Sequence, residues 1–142
     1  MKLLDANLLI YAANRQAPRH EPARQWVNRT LSGSETIALP WLVLLAFVRI
    51  TTNAKVMAPA LTARASMGYV EGWLSLAAVT TPAPTNRHSS VLQHLLESTG
   101  VGGNLVSDAH LAALAIEHGA TLCSCDNDFG RFPGLSWIDP LA

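Results

Sequence analysis

The chain has 142 residues, of which 49% are hydrophobic and 14% charged, so it can bury a sizeable core and is not a disordered segment. Ten Lys and Arg balance ten Asp and Glu, so bulk charge does not indicate a nucleic-acid partner. Contact with RNA would need a local patch or a metal ion.

The elements follow in chain order. Lys2 to Leu4 reads as a short buried strand ending at Asp5, and Ala6 to Ala13 as a helix. Arg15 to Pro22 is polar and holds two prolines, so a loop is predicted before a helix over Ala23 to Leu31, which Ser32-Gly33-Ser34 ends. Thr36 to Leu39 is a second apolar strand. Pro40 suits a first helical turn, and Trp41 to Thr51 is apolar nearly all round, which predicts a buried helix. After a connector, Thr62 to Leu76 repeats Ala65, Tyr69, Gly72, Trp73 and Leu76 at helical spacing. Ala78 to Thr80 is a candidate strand. Arg87 to Ser98 is predicted helical with Val91, Leu92, Leu95 and Leu96 inward. A Gly-rich loop, Gly100 to Gly103, leads into a helix over Asn104 to His118, capped by Gly119. Ala120 to Cys125 is a strand running into Asp126-Asn127-Asp128, and Leu135 to Ile138 a last short one. Strands alternating with helices predict an α/β fold, a three-layer α/β/α sandwich around a mostly parallel sheet, formed by one domain over residues 1–142.

The longest apolar run, residues 37–50, carries Pro40 and Arg49 and is shorter than the roughly 20 residues a bilayer span needs. Asp5 comes too early for an export segment, so a cytoplasmic protein with no membrane partner is expected. Cys123 and Cys125 are one residue apart, in poor geometry for a disulfide and too few for a zinc site; buried reduced thiols in a strand are expected.

The chemistry rests on five aspartates, at 5, 108, 126, 128 and 139. Asp5 and Asp126 each follow a buried strand, and strand ends of a parallel sheet line the cleft where strand order reverses. Asp108 falls in the first turn of a helix that a Gly-rich loop can bring over the same edge. Three converging carboxylates repel unless a cation sits between them, and hard oxygen donors suit Mg²⁺ or Mn²⁺. Each also has a structural reading: Asp5 as an N-cap, Asp108 as a partner of its helix dipole, Asp126 and Asp128 as turn formers.

Three segments extend this reading. Leu4-Asp5-Ala6-Asn7-Leu8-Leu9-Ile10, residues 104–113 around Ser107-Asp108-Ala109-His110, and Ser124-Cys125-Asp126-Asn127-Asp128-Phe129 followed by Phe132-Pro133-Gly134 keep an order and spacing that resembles the PIN-domain family, in particular VapC-type toxins. The resemblance implies a Mg²⁺- or Mn²⁺-dependent endoribonuclease, the toxin of a toxin–antitoxin pair, leaving 5′-phosphate and 3′-hydroxyl ends. It implies Asp5, Asp108 and Asp126 as metal-binding and catalytic residues, with Asp128 accessory and Asn7, Ser124 and Arg49 supporting. It further implies a bacterial source, an RNA substrate, a cognate antitoxin and a homodimer, the last in keeping with the apolar surface around Trp73.

One position departs from the family pattern. Where a Glu-x-x-Arg is expected, the chain has Ala46 and Arg49, and its glutamates at 21, 35, 71, 97 and 117 offer no substitute. The alternative reading is therefore a weakly active or inactive PIN-like protein that docks an antitoxin or RNA. A phosphoryl-acceptor domain ranks below both, because the only lysines, Lys2 and Lys55, are not near a late strand. Arg15, Arg19, His20, Arg24 and Arg29 form a stretch that either tracks an RNA backbone or is an ordinary solvated face. The histidines form no evident catalytic pair; His110 is expected on a helix surface.

Overall fold

The computed structural model describes residues 1–100, 103 and 105–142. Residues 101 and 102 of the predicted loop at Gly100–Gly103 and the helix start at Asn104 lie outside the described residues. Five parallel strands, β1 (Lys2–Leu4), β2 (Ile37–Ala38), β3 (Val79–Thr80), β4 (Thr121–Cys123) and β5 (Trp137–Ile138), pair in the order β3-β2-β1-β4-β5. The helices are α1 (Ala6–Ala13), α2 (His20–Leu31), α3 (Trp41–Thr51), α4 (Ala63–Leu74), α5 (His88–Thr99) and α6 (Leu105–Glu117). From β1 the chain steps outward through β2 to β3, then returns past β1 to β4. Right-handed crossovers in opposite directions put α1 to α4 on one face and α5 with α6 on the other. The expected three-layer α/β arrangement is the one observed, with the sheet wholly parallel.

The sheet's central strands explain their own sequence. Leu3, Leu4, Ile37, Ala38, Leu122 and Cys123 are completely buried, as strands covered on both faces must be. Helix ends follow local chemistry. Thr62 Oγ1 accepts from the Ala65 N–H at the start of α4 (3.1 Å). Gly100 ends α5 at φ 63°, a left-handed conformation that other residues avoid.

Four expectations shift. Helix α2 begins at His20, so Pro22 lies in its first turn, where a missing N–H costs no hydrogen bond; His20 Nδ1 donates to Tyr11 O (2.9 Å) and anchors the start. On α4 the buried positions are Ser66 and Val70, with Trp73 half-buried, while Ala65, Tyr69, Gly72 and Leu76 are exposed. Ser66 reaches the core because its Oγ lies 2.8 Å from Thr51 Oγ1 of α3. Phe47 of α3 packs edge-to-face on Trp73 (centroids 4.8 Å apart), fixing the pair. Strand β4 stops at Cys123, and a 3₁₀ helix not foreseen, Asn127–Arg131, carries Asp128. Cys123 is buried and Cys125 only half-buried beyond the strand; both are free thiols. Burial pushes them up, to about 12 at Cys123 and about 11 at Cys125, so both stay protonated at neutral pH.

Candidate functional site

The register places the first carboxylate. Leu4 pairs with Cys123, so Asp5 leaves the carboxyl end of the central strand beside the segment that follows β4. The Asp5 N–H donates to Cys123 O (3.0 Å), extending the ladder one step. Strand order reverses between β1 and β4, the switch point where a parallel sheet opens a crevice.

Ser124, with no exposed surface, is the hub. Its Oγ donates to Asp5 Oδ2 (2.7 Å) and accepts from Asn7 Nδ2 (3.0 Å) and the Asp126 N–H (3.0 Å). Its backbone is held by the edge strand: the Ser124 N–H donates to Ile138 O (3.1 Å), and Trp137 Nε1 donates to Ser124 O (3.0 Å). One hydroxyl thereby fixes the end of β1, the first turn of α1 and the approach to Asp126. Asp5 Oδ1 also accepts from the Ala6 N–H (2.7 Å), so its capping and site readings are both occupied by one side chain.

Asp126 Oδ1 accepts from the Asp128 N–H (2.9 Å), folding the 3₁₀ helix back on itself. Carboxylate oxygens of Asp108, Asp126 and Asp128 all lie within 4.8 Å of one another. Asp128, expected as an accessory, is a full member of this tight group, with 49% of its side chain exposed and Arg131 Nη1 3.9 Å away. Asp5 stands just outside it, close enough to raise Asp108. Burial first, then the charges of Asp5, Asp126 and Asp128, push the Asp108 carboxyl up to about 6. Burial likewise raises Asp5, against the lowering hydrogen bonds from Ser124 and Ala6, with Asp126 adding to the rise.

These features suit a cation. All donors are hard oxygens, like charges are crowded, and Asn7 Oδ1 is, among the described residues, the one buried side-chain polar atom with no hydrogen-bond partner. A buried orphan acceptor beside a carboxylate cluster is satisfied by a water of a hydrated ion.

The other candidates disperse. Ala46 and Arg49 line an open depression on α3 with Leu42, Leu45 and Val48. The basic stretch is only partly brought together: Arg24, paired with Glu21, and Arg29 line one open depression on α2, while Arg19 sits beside Cys125. His110, half-buried, bonds to His88, a pair the sequence did not reveal.

The PIN-domain family model matches residues 2–135. The chain belongs to the PIN-domain family, as a VapC-type ribonuclease. It is 43% identical over 142 residues to ribonuclease VapC37 of Mycobacterium tuberculosis, covering all of this chain and 99% of that one. It is 38% identical over 141 residues to ribonuclease VapC33 of the same species, covering 99% of each. VapBC2 of Rickettsia felis, solved with a promoter DNA fragment, shares the PIN fold at a TM-score of 0.68 and 20% identity, over 96% of each chain.

Within this PIN domain, two outcomes follow from the site. Ser124→Ala removes the hub and leaves the Asp126 N–H and Asn7 amide short of an acceptor. It is expected to lower unfolding free energy by about 1–3 kcal/mol in a urea titration; an unchanged midpoint would show the network to be dispensable. The second concerns pH. The Asp108 carboxyl is raised in the fold, so the folded state holds its proton more tightly than the unfolded chain between about pH 4 and 6. In EDTA the melting temperature of the parent relative to Asp108→Asn should therefore fall as pH rises from about 4 to 6. A difference between the two that stays constant over that window would contradict the crowding of these carboxylates.

Proposed function

We propose that this chain is a Mg²⁺- or Mn²⁺-dependent endoribonuclease and the toxin of a toxin–antitoxin pair, with Asp5, Asp108, Asp126 and Asp128 as its metal-binding and catalytic residues. The observation that carries the reading is the convergence of Asp108, Asp126 and Asp128 within 4.8 Å at the switch point of the sheet, beside the orphaned Asn7 acceptor. Full-length similarity to two ribonucleases supports the activity.

Asp108, Asp126 and Asp128 would hold the ion, with Asp5 adding its charge from the end of β1. A divalent cation bound there supplies charge against a scissile phosphate and lowers the pKa of an attacking water. The chain's own residues provide the frame. Ser124 locks the Asp5 carboxylate through Oδ2 and Asp126 through its N–H. Asn7 Oδ1 accepts from a water in the cleft and orients it. Arg131, at the exposed rim beside Asp128, offers a positive charge to the RNA backbone.

The direct test is RNA cleavage by the purified chain in Mg²⁺ or Mn²⁺ against EDTA. Metal-dependent cleavage with 5′-phosphate products supports the reading, and cleavage that persists undiminished in EDTA would sink it. RNA or antitoxin binding without cleavage would favour the docking protein suggested by Ala46.

The partners follow the same reading. Antitoxin capture and a homodimer are proposed. The support for the homodimer is the exposed apolar surface of Trp41 and Leu45 on α3 and of Met67, Tyr69 and Leu74 on α4. Light scattering at micromolar concentration is expected to give twice the chain mass; a monomer there would count against the dimer. Among the described residues no helix is long and apolar enough to cross a membrane.

A further inference from the structure

A second polar network lies between α5 and α6, on the far face of the sheet from α1 to α4. The Glu117 side chain has no exposed surface, yet it is a carboxylate. Its Oε1 accepts from the Thr85 N–H (2.9 Å) and Thr85 Oγ1 (2.6 Å), and its Oε2 from His88 Nδ1 (2.5 Å). Burial alone would raise this carboxyl; the bonds from Thr85 and His88 outweigh it and hold it below its usual range. A buried carboxylate with three donors is well compensated, and losing one donor is costly.

The carboxylate dictates the state of His88. Nδ1 must carry a hydrogen to donate to Glu117, which leaves Nε2 facing His110 Nδ1 at 2.9 Å, the two rings edge-to-face with centroids 4.7 Å apart. One proton is shared between those two nitrogens. His110 sits two residues beyond Asp108, at the start of α6.

The start of α6 has reason to need a fastening. The first side chain it buries is the small Ala109, and the large apolar side chains that lock the helix into the core, Leu111 and Leu114, come only after His110. Asp108 is pushed outward by the carboxylates it must approach. Among the described residues, His110 makes the side-chain hydrogen bond that ties the first two turns of α6 to another element.

We propose that His88, oriented by the buried Glu117 carboxylate, is a positioning residue that acts through His110 to hold the first turns of α6, and with them Asp108, against Asp126 and Asp128. The proposal rests on the reading that these aspartates bind a divalent cation. It adds a requirement on a set of residues that touch neither the ion nor the RNA.

The experiment is a Mn²⁺ titration, by calorimetry or by the paramagnetic resonance of free Mn²⁺, on the full chain and on His88→Phe, His110→Gln and the double variant, each melted in EDTA alongside. Each single variant is expected to bind Mn²⁺ about tenfold more weakly, the cost of losing an outer support of a metal site. The double variant is expected to match the weaker single one to within about twofold, because both break one linkage. If His88→Phe does not fold, His110→Gln on the half-exposed side of the pair carries the same test. Parent-like Mn²⁺ affinity in a variant that melts lower would overturn the proposal, leaving the network as packing alone. Absence of Mn²⁺ binding by the parent chain would overturn the metal reading itself and this proposal with it.

Discussion

Asp5→Asn is expected to reduce metal-dependent RNA cleavage by about a hundredfold to a thousandfold, the scale of removing one fixed electrostatic group from a reacting centre. The fold should survive it. An asparagine oxygen can still accept from the Ala6 N–H, which Asp5 Oδ1 now does at 2.7 Å. Its amide replaces the acceptor of the Ser124 hydroxyl, whose oxygen already accepts from Asn7 Nδ2 and the Asp126 N–H, so one hydrogen bond of the hub is lost. The thermodynamic sign favours the variant. Burial raises the Asp5 carboxyl, so the ionised form is penalised in the folded chain at neutral pH, and a neutral side chain removes that penalty. This gain offsets the lost Ser124 bond, and the melting temperature in EDTA at about pH 7 is expected to stay close to that of the parent. Loss of cleavage with preserved melting would locate the defect in the chemistry. A purified variant that cuts RNA at the parent rate would remove Asp5 from the site.

Ala46→Glu is expected to tighten Mn²⁺ binding about tenfold or more and to raise the cleavage rate. The motive is the missing carboxylate in an otherwise family-like arrangement. The position can accept it. Val43, Leu44 and Phe47 form the buried side of α3, whereas Ala46 is half-buried and borders an open depression shared with Arg49, one helical turn away. A glutamate there would not be sealed among apolar side chains. Its charge would lie near Arg49. Calorimetric Mn²⁺ titration beside a melting curve checks the outcome. Unchanged affinity in a less stable protein would show that residue 46 points away from the cleft.

Much of this site was legible because its residues sit where local patterns are strongest. The strand cores are short apolar runs that stop at a carboxylate, and the helices between them are bounded by Pro40, Thr62, Gly100 and Gly119. Depth of burial was harder to read. Ser66 occupies a core position on α4 through a hydroxyl pair with Thr51, a contact across fifteen residues that no period of apolar side chains announces. The apparent stripe of Ala65, Tyr69, Gly72 and Leu76 was therefore misleading. The close membership of Asp128 depends on a 3₁₀ turn, which Asp-Asn-Asp permits but does not demand. The Glu117, His88 and His110 network joins the ends of two helices through tertiary contacts alone. Its residue types are scattered in the chain, so their spacing held no signal. Of the five basic residues of the first third, Arg24 and Arg29 share one depression on α2, whereas Arg19 turns to Cys125 and His20 to the Tyr11 carbonyl, a division that their sequence spacing does not announce.

The ribosome must deliver both Asp5 and the segment after β4 before this site can exist. β1 lies at the middle of the sheet, yet one of its two neighbours is β4, so Leu4 waits for Cys123. Asp126 and Asp128 leave the ribosome more than a hundred positions after Asp5. At about 5–20 residues per second this gap lasts several seconds, during which the nascent polypeptide has one wall of the cleft and lacks the other. Pairing of such sequence-distant strands is also slow to nucleate, since a long loop must close first. Abandoned translation products that stop before the final strand pair would be harmless to the cell's RNA. A protein hazardous to its own producer would in this way be armed only once β4 has reached β1, seconds after β1 itself is made.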